Sequence, residues 1–146
     1  MEKLSVTTAV IGLLAVGGKT MEALWELNTV LRSSTPALNQ ALAEVKQCRS
    51  SVHILFKSLS LLESASLPFP ERGSWIEVDD LVATLTDTVL AFSDLQGVCD
   101  AAADLLATSN DYDAVAKKYE QRLSNLCARI RWHNLSMTLM MTILKW

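Results

Sequence analysis

Residues that break helices are scarce in this chain. Its 146 residues include only 3 prolines and 5 glycines. Since these two residue types mark most turns, their scarcity argues against many short strands and favours a few long helices. No stretch alternates apolar and polar residues in the way of a half-buried strand. Together these absences predict an all-α fold.

Cysteines are few, and their spacing is uninformative for metal binding. The chain has 3, an odd number, at Cys48, Cys99 and Cys127, without the CxxC or CxH spacing of a zinc site. This pattern argues against a disulfide framework and indicates a reducing compartment. Each cysteine falls at an apolar helix position, where it behaves as a small hydrophobe, so we expect all three in the core.

Groups suited to catalysis are also scarce. The 2 histidines, His53 and His133, stand in neither an HExxH nor an ExxH spacing, and no glycine-rich phosphate loop follows a strand. We therefore predict a non-enzymatic protein without cofactor or metal. His133 is expected at the edge of the core, hydrogen-bonded to a neighbour, and His53 at the edge of a helix face.

Positive charge is missing from residues 79–104, which hold six aspartates and no lysine or arginine, whereas residues 111–146 hold six basic and three acidic residues. One side of the molecule should therefore be acidic and another basic. The net charge of −3 gives no general attraction to nucleic acid. The aspartates on the outer face of the predicted third helix form either an ordinary solvated face or a docking surface. They are Asp80, Asp87 and Asp94.

What the chain does contain is sustained helical periodicity. The strongest example begins at Pro36, which suits a first helical position because it has no N–H to satisfy, with Ser34 or Thr35 as the cap. From there, apolar residues fill two rows of a four-heptad pattern. The rows are Leu38, Val45, Val52 and Leu59, and Ala41, Cys48, Leu55 and Leu62.

Similar patterns predict helices at about residues 5–32, 36–64, 75–107 and 111–146, all within a single domain spanning 1–146. Ser74 and Glu77 have the spacing of a capping box at the start of the third helix. Because the helices match in length and short loops join them, we expect an antiparallel up-down four-helix bundle, with room for an additional short helix.

The N-terminal stretch is apolar but short. No charge lies between Lys3 and Lys19, a run of 15 residues, whereas a spanning helix needs about 20. Ala15 and Gly17 fit the cleavage site of a secretory signal, and that alternative stays open. The apolar spacing nevertheless keeps helical phase through the glycine pair, which favours one amphipathic helix. The positions in phase are Val6, Val10, Leu13, Gly17, Thr20, Leu24, Leu27 and Leu31.

Two apolar features exceed what folding alone requires. If Val6, Val10 and Leu13 face the core, Ile11 and Leu14 need another partner. The first helix is then either central and well covered, or able to leave the bundle and enter lipid.

The second feature is the fourth helix, where basic residues accompany tryptophans and an apolar end. This combination suits an anionic membrane surface, and ordinary packing explains it equally well. The residues concerned are Arg122, Arg129, Arg131 and Lys145, with Trp132 and Trp146.

The first twenty residues, MEKLSVTTAVIGLLAVGGKT, resemble the start of the fungal HeLo-like N-terminal domains. The shared pattern is Met-acidic-x-Leu-Ser-Val-Thr-x-x-Val-Ile-x-Leu-Leu, followed by small residues and lysine. The layout of loops and long helices is similar over essentially all 146 residues.

This resemblance implies a helical bundle of a cytosolic fungal protein, placed ahead of a nucleotide-binding receptor of the NACHT or NB-ARC type or of a short amyloid-forming motif. Such domains are related to the HeLo domain of fungal incompatibility and to the four-helix-bundle executioner of animal necroptosis. The implied activity is oligomerisation, movement to the plasma membrane and permeabilisation, which kills the cell. Expected partners are anionic membrane lipids, further copies of the chain, and the upstream receptor or amyloid-motif protein.

In that family the apolar N-terminal segment enters the membrane. Carried to this chain, the membrane-entering residues are Leu4, Val6, Val10, Ile11, Leu13, Leu14 and Val16. Lys3 joins the four basic residues of the fourth helix in the initial attraction to lipid. The alternative is a helical adaptor that binds partner helices through the acidic third helix, at the N-terminus of a receptor-like signalling protein, and does not contact lipid.

Overall fold

The computed structural model describes residues 3–31, 36–63, 71, 78–109 and 111–145. Over these residues the chain forms four helices and no strand. The helices are α1 (Lys3–Leu31), α2 (Pro36–Glu63), α3 (Val78–Thr108) and α4 (Tyr112–Lys145). The all-α prediction is confirmed, and most predicted helix ends lie within two residues of the observed ones.

Local chemistry explains the helix starts that the structure describes. Pro36 opens α2, as its missing N–H favours. Asp111 caps α4, because its Oδ1 accepts a hydrogen bond from the Ala114 backbone N–H at 3.1 Å. The predicted caps at Ser34 or Thr35 and at Ser74 and Glu77 lie outside the described residues. So does the additional short helix, because only Glu71 is described between α2 and α3.

The order of the helices around the bundle is α1, α2, α4, α3. Helix α1 packs against α2 and α3, and α4 packs against the same two helices. The α2–α3 pair therefore lies across a diagonal, and residues 64–77 join helices that are not close neighbours. Periodicity along each helix does not reveal this order.

Contacts at one cavity fix the helix directions. Residues from late in α1 and α3 and from early in α2 and α4 line it together: Leu27, Leu38, Ala102 and Leu123. Successive helices are thus antiparallel, which confirms the up-down arrangement, while the neighbours α1 and α3 run parallel, as do α2 and α4. We call the opposite end, where α1 and α3 start, the amino end of the bundle.

Heptad positions form the core. All the predicted core positions of α1 and α2 whose side chains are described are buried. In α3 the residues at heptad spacing from Leu81 and from Leu85 are buried as well. Phe92 is the largest fully buried side chain. Emptying such a site costs about 3–5 kcal/mol, so the heptads that define the helices also hold the bundle together. The buried α2 residues are Leu38, Ala41, Val45, Cys48, Val52 and Leu55.

Candidate functional site

The apolar residues at the start of α1 lie on different sides of the helix. Val6, Val10 and Leu13 are buried in the core, with Leu13 at 0% exposure, whereas Ile11 is 61% exposed. The remaining described members of the predicted membrane-entering set, Leu14 and Val16, are half-buried at the flanks, and Leu4 has no described side chain. The expectation that Ile11 and Leu14 lack cover from the core holds for Ile11, whereas Leu14 is half-buried against the core.

We call residues 3–16 of α1 its first half and residues 17–31 its second half. The second half makes closely fitted contacts and a hydrogen bond to neighbouring helices. A Cβ at Gly17 would lie 2.9 Å from Arg49 Cδ and 3.0 Å from Phe92 Cε2, so only glycine allows this approach. Thr20 Oγ1 lies within hydrogen-bond distance of Val16 O at 2.8 Å and of Phe92 O at 3.1 Å. The second half is therefore tied to α2 and α3 at its first turn.

An open groove between α1 and α2 collects basic side chains. Leu14 and Met21 form its α1 wall. From α2 it is lined by Lys46, Arg49, Ser50, His53 and Ile54. The exposed position of His53 at the edge of its helix matches the expectation from the sequence. The spacing of Lys46, Arg49 and His53 at i, i+3 and i+7 is the signal that could have identified this cluster in advance.

The basic residues predicted to meet lipid are mostly occupied or undescribed. Arg129 Nη1 lies 3.0 Å from Asp94 Oδ2, and Arg131 Nε lies 2.9 Å from Glu44 Oε1. These ion pairs join α4 to α3 and to α2. Arg122 is exposed and has no ion-pair partner among the described residues. The side chains of Lys3 and Lys145 are not described.

The outer face of α3 combines acid with one large apolar side chain. Asp80, Asp87 and Asp94 are all exposed, as predicted. Leu90 lies between the last two and is 51% exposed. Because Asp94 already pairs with Arg129, the unpaired charge of this face lies toward the start of α3.

A second exposed apolar feature lies on the outer face of α4. Trp132, Leu135 and Leu139 are more than half exposed and share one face at i, i+3 and i+7. The sequence identified Trp132, but it did not separate the two leucines from the apolar end of the helix. Trp146 lies outside the described residues.

Titratable side chains inside the bundle respond mainly to burial. Burial raises the pKa of the Cys48 and Cys99 thiols to about 12 and that of Cys127 to about 11, with nearby carboxylates adding to each shift. All three cysteines are buried and free, which confirms their predicted position. Burial also lowers the pKa of His133. We expected this side chain to bond to a neighbour, but its buried Nε2 has no hydrogen-bond partner among the residues that the structure describes.

Two further properties concern only the described part of the chain. No group of three or more His, Cys, Asp or Glu side chains there is arranged to hold a metal ion. Within the same residues, no helix combines the length and the apolar character needed to cross a membrane.

Compared with known protein families, with curated proteins and with solved structures, the chain has no match in any of the three. The described surfaces with exposed apolar or unpaired charged side chains are the first half of α1, the α1–α2 groove, and the outer faces of α3 and α4.

Proposed function

We propose that this chain is a membrane-targeting, membrane-permeabilising effector domain of programmed cell death, of the HeLo-like kind that its first twenty residues resemble. At rest it is a cytoplasmic bundle. Oligomerisation, triggered by a receptor or an amyloid-forming motif, brings several copies to the plasma membrane. The first half of α1 then exchanges its place in the core for one in lipid.

The observation that carries this proposal is the apolar character of the first half of α1 on both its covered and its uncovered sides. Ile11 is 61% exposed while Leu13, two residues on, is fully buried. A helix that only packs against a bundle usually carries charged side chains on its outer face. No charge occurs between Lys3 and Lys19, and the exposed side chains described there are Thr8, Ile11 and Ala15.

Free energies explain why such a segment would need a trigger. Val6, Val10 and Leu13 already gain about 1.5–3 kcal/mol each from burial in the core, and a bilayer would return a similar amount. Ile11 gains only in the bilayer, by about 1–2 kcal/mol for the part that is now exposed. One copy therefore has a small net drive, and assembly of several copies multiplies it.

The short apolar run also restricts how lipid is entered. A run of 15 uncharged residues is shorter than the roughly 20 that span a bilayer, so a single copy would lie in the interface plane. Permeabilisation then requires several first halves in one place. This fits the role of oligomerisation in the proposal.

The test compares two glutamate substitutions on exposed positions of the same half-helix. Ile11→Glu replaces the exposed apolar side chain with a charge. Thr8→Glu adds the same charge at another exposed position of the half-helix and removes no apolar side chain. Dye release from mixed phosphatidylcholine–phosphatidylglycerol vesicles should fall at least about fivefold in Ile11→Glu, matching a loss of 1 kcal/mol or more. Thr8→Glu should lose clearly less.

Both variants should keep the wild-type melting temperature, since neither side chain is in the core. Equal dye release from Ile11→Glu and wild type, or no release from wild type even when it is artificially oligomerised, would contradict the proposal.

A second candidate is supported by the outer face of α3. Leu90 is half exposed beside Asp87 and Asp94, a combination suited to a basic amphipathic helix of a partner protein. In that case the chain is an adaptor at the N-terminus of a receptor-like protein. Leu90→Ser would then abolish a salt-sensitive soluble complex, and vesicles would have no effect.

A further inference from the structure

The α1–α2 groove contains hydrogen-bond donors without acceptors. Within the residues that the structure describes, the side chains of Lys46, Ser50 and His53 make no hydrogen bond or ion pair. Arg49 Nη1 reaches only Met21 Sδ, at 3.4 Å. Its Nε is buried and has no hydrogen-bond partner in the described part of the chain.

Two other arginines of the bundle, in contrast, form ion pairs. Arg129, half-buried like Arg49, and the exposed Arg131 each have a carboxylate at about 3 Å. Arg49 is half-buried, and none of the described carboxylates lies within ion-pair distance of it. Because an unpartnered buried donor costs free energy, and more so a charged one, an anion supplied from outside would stabilise this arrangement.

The donor types point to phosphate. A guanidinium offers a planar fork that matches two phosphate oxygens, and a lysine ammonium adds a mobile charge. Lys46 and His53 lie one turn to either side of Arg49 and line the same groove, so an anion of phosphate size seated there could meet all three.

The walls of the groove point to a lipid rather than a free ion. Leu14 and Met21 line the side that faces the donors, and Ile11 lies one turn from Leu14 toward the amino end. We infer that the α1–α2 groove binds the phosphate of an anionic phospholipid through Arg49, Lys46 and His53, with the apolar part of the lipid along α1. This inference deepens the proposed function and rests on it.

Arg49 also connects the groove to the attachment of α1. Its Cγ and Cδ fill the space beside Gly17, and its guanidinium lies over Gly18. A phosphate that draws this side chain outward would loosen the contact at Gly17, just after the end of the first half of α1. Lipid binding and release of the first half would then favour each other.

The experiment measures partition of the full chain onto phosphatidylcholine vesicles with and without phosphatidylglycerol, at fixed ionic strength. Arg49→Gln removes the central donor, and the exposed Lys46→Gln tests the same groove without disturbing packing. Lys117→Gln is the matched control, since Lys117 is exposed on α4 near the opposite end of the bundle. Arg49→Lys keeps the charge but loses the planar fork.

On vesicles with phosphatidylglycerol, Arg49→Gln should reduce partition by about fivefold or more, and Lys46→Gln by about threefold to fivefold. Lys117→Gln should change it less than about twofold, and Arg49→Lys should recover only part of the loss. Pure phosphatidylcholine should bind all variants equally weakly. Equal losses in the Arg49, Lys46 and Lys117 variants, or no loss in any, would overturn the inference.

Inorganic phosphate is tested separately. If it raises the melting temperature of wild type but not of Arg49→Gln, while vesicle partition does not depend on Arg49, the groove binds free phosphate and the lipid assignment is overturned.

Dye release on the same samples separates this inference from the proposed function. Arg49-dependent partition without any release would support the groove and contradict the effector proposal. Dye release and partition that are both equal in wild type and Arg49→Gln would support the effector proposal and contradict the groove.

Discussion

The two halves of α1 belong to one continuous helix but are attached to the bundle in different ways. The second half is fixed by the close approach at Gly17, by the Thr20 hydroxyl at Phe92 O, and by the buried Leu24 and Leu27. Among the side chains described in the first half, Val6, Val10 and Leu13 contribute apolar burial. The described contacts are thus geometry-specific in the second half and non-directional in the first.

The outer faces of the two halves differ as well. The second half carries the exposed charges Lys19, Glu22 and Glu26 on its outer side, and these would be expensive to place in lipid. The first half has no charge between Lys3 and Lys19. A bilayer can bury apolar side chains as well as a core can, so the exchange of environment that we propose concerns only the first half.

The largest effect that tests this comparison is expected from a substitution at Gly17, at the boundary between the halves. Gly17→Ala places a Cβ 2.9 Å from Arg49 Cδ and 3.0 Å from Phe92 Cε2. Overpacking of this kind costs about 1–3 kcal/mol, more than the helix propensity that alanine gains. Denaturant unfolding should therefore show a lower free energy of unfolding.

Gly12→Ala, in the first half, is the matched control. A Cβ there meets nothing within 4 Å, so the same change should stabilise the bundle by up to about 1 kcal/mol. If both substitutions stabilise the protein equally, the second half is not anchored at Gly17, and the contrast between the halves fails.

Most of the fold could be predicted from the sequence because helix formation and burial share one period. The heptads of α2 and α3 and the phase of α1 through Gly17 each predicted the residues that are buried. Thr88 is an exception. It is fully buried and occupies a core position of α3, where its hydroxyl donates a hydrogen bond to Thr84 O within the helix. A pattern of apolar residues does not identify this polar core residue.

Properties that depend on contacts between helices could not be predicted in the same way. The partners of Arg129 and Arg131 lie 35 and 87 residues away on other helices, so both arginines seemed available to lipid in the sequence alone. The helix order was hidden because the segment 64–77 can reach either an adjacent or a diagonal helix. The α1–α2 groove depends on the same packing, and the sequence analysis missed it.

A smaller effect concerns the stability of the bundle in acid. Burial lowers the pKa of His133 in the folded state, against an opposing influence of Asp87. As pH falls through the ordinary histidine value of about 6.5, the unfolded chain gains a proton that the folded chain does not, so the free energy of unfolding falls. His133→Gln should remove this part of the pH dependence.

The comparison is made by denaturant unfolding of wild type and His133→Gln at about pH 8 and at successively lower pH. Near pH 8 both chains carry an uncharged side chain at this position, which provides the reference. An unchanged slope of stability against pH in His133→Gln would contradict the assignment to this residue. A wild type that loses no stability in acid would do so as well.

The most direct measurement of the central claim uses one environment-sensitive fluorophore at two positions of α1. Ile11 and Trp25 are 61% and 65% exposed, so single cysteines at these positions will label easily, whereas burial protects the three native thiols. Oligomerised protein is added to anionic vesicles whose acyl chains carry a quencher. We predict strong quenching of the label at position 11 and little at position 25. Equal quenching at the two positions, or none at position 11 while the vesicles leak, would contradict the account.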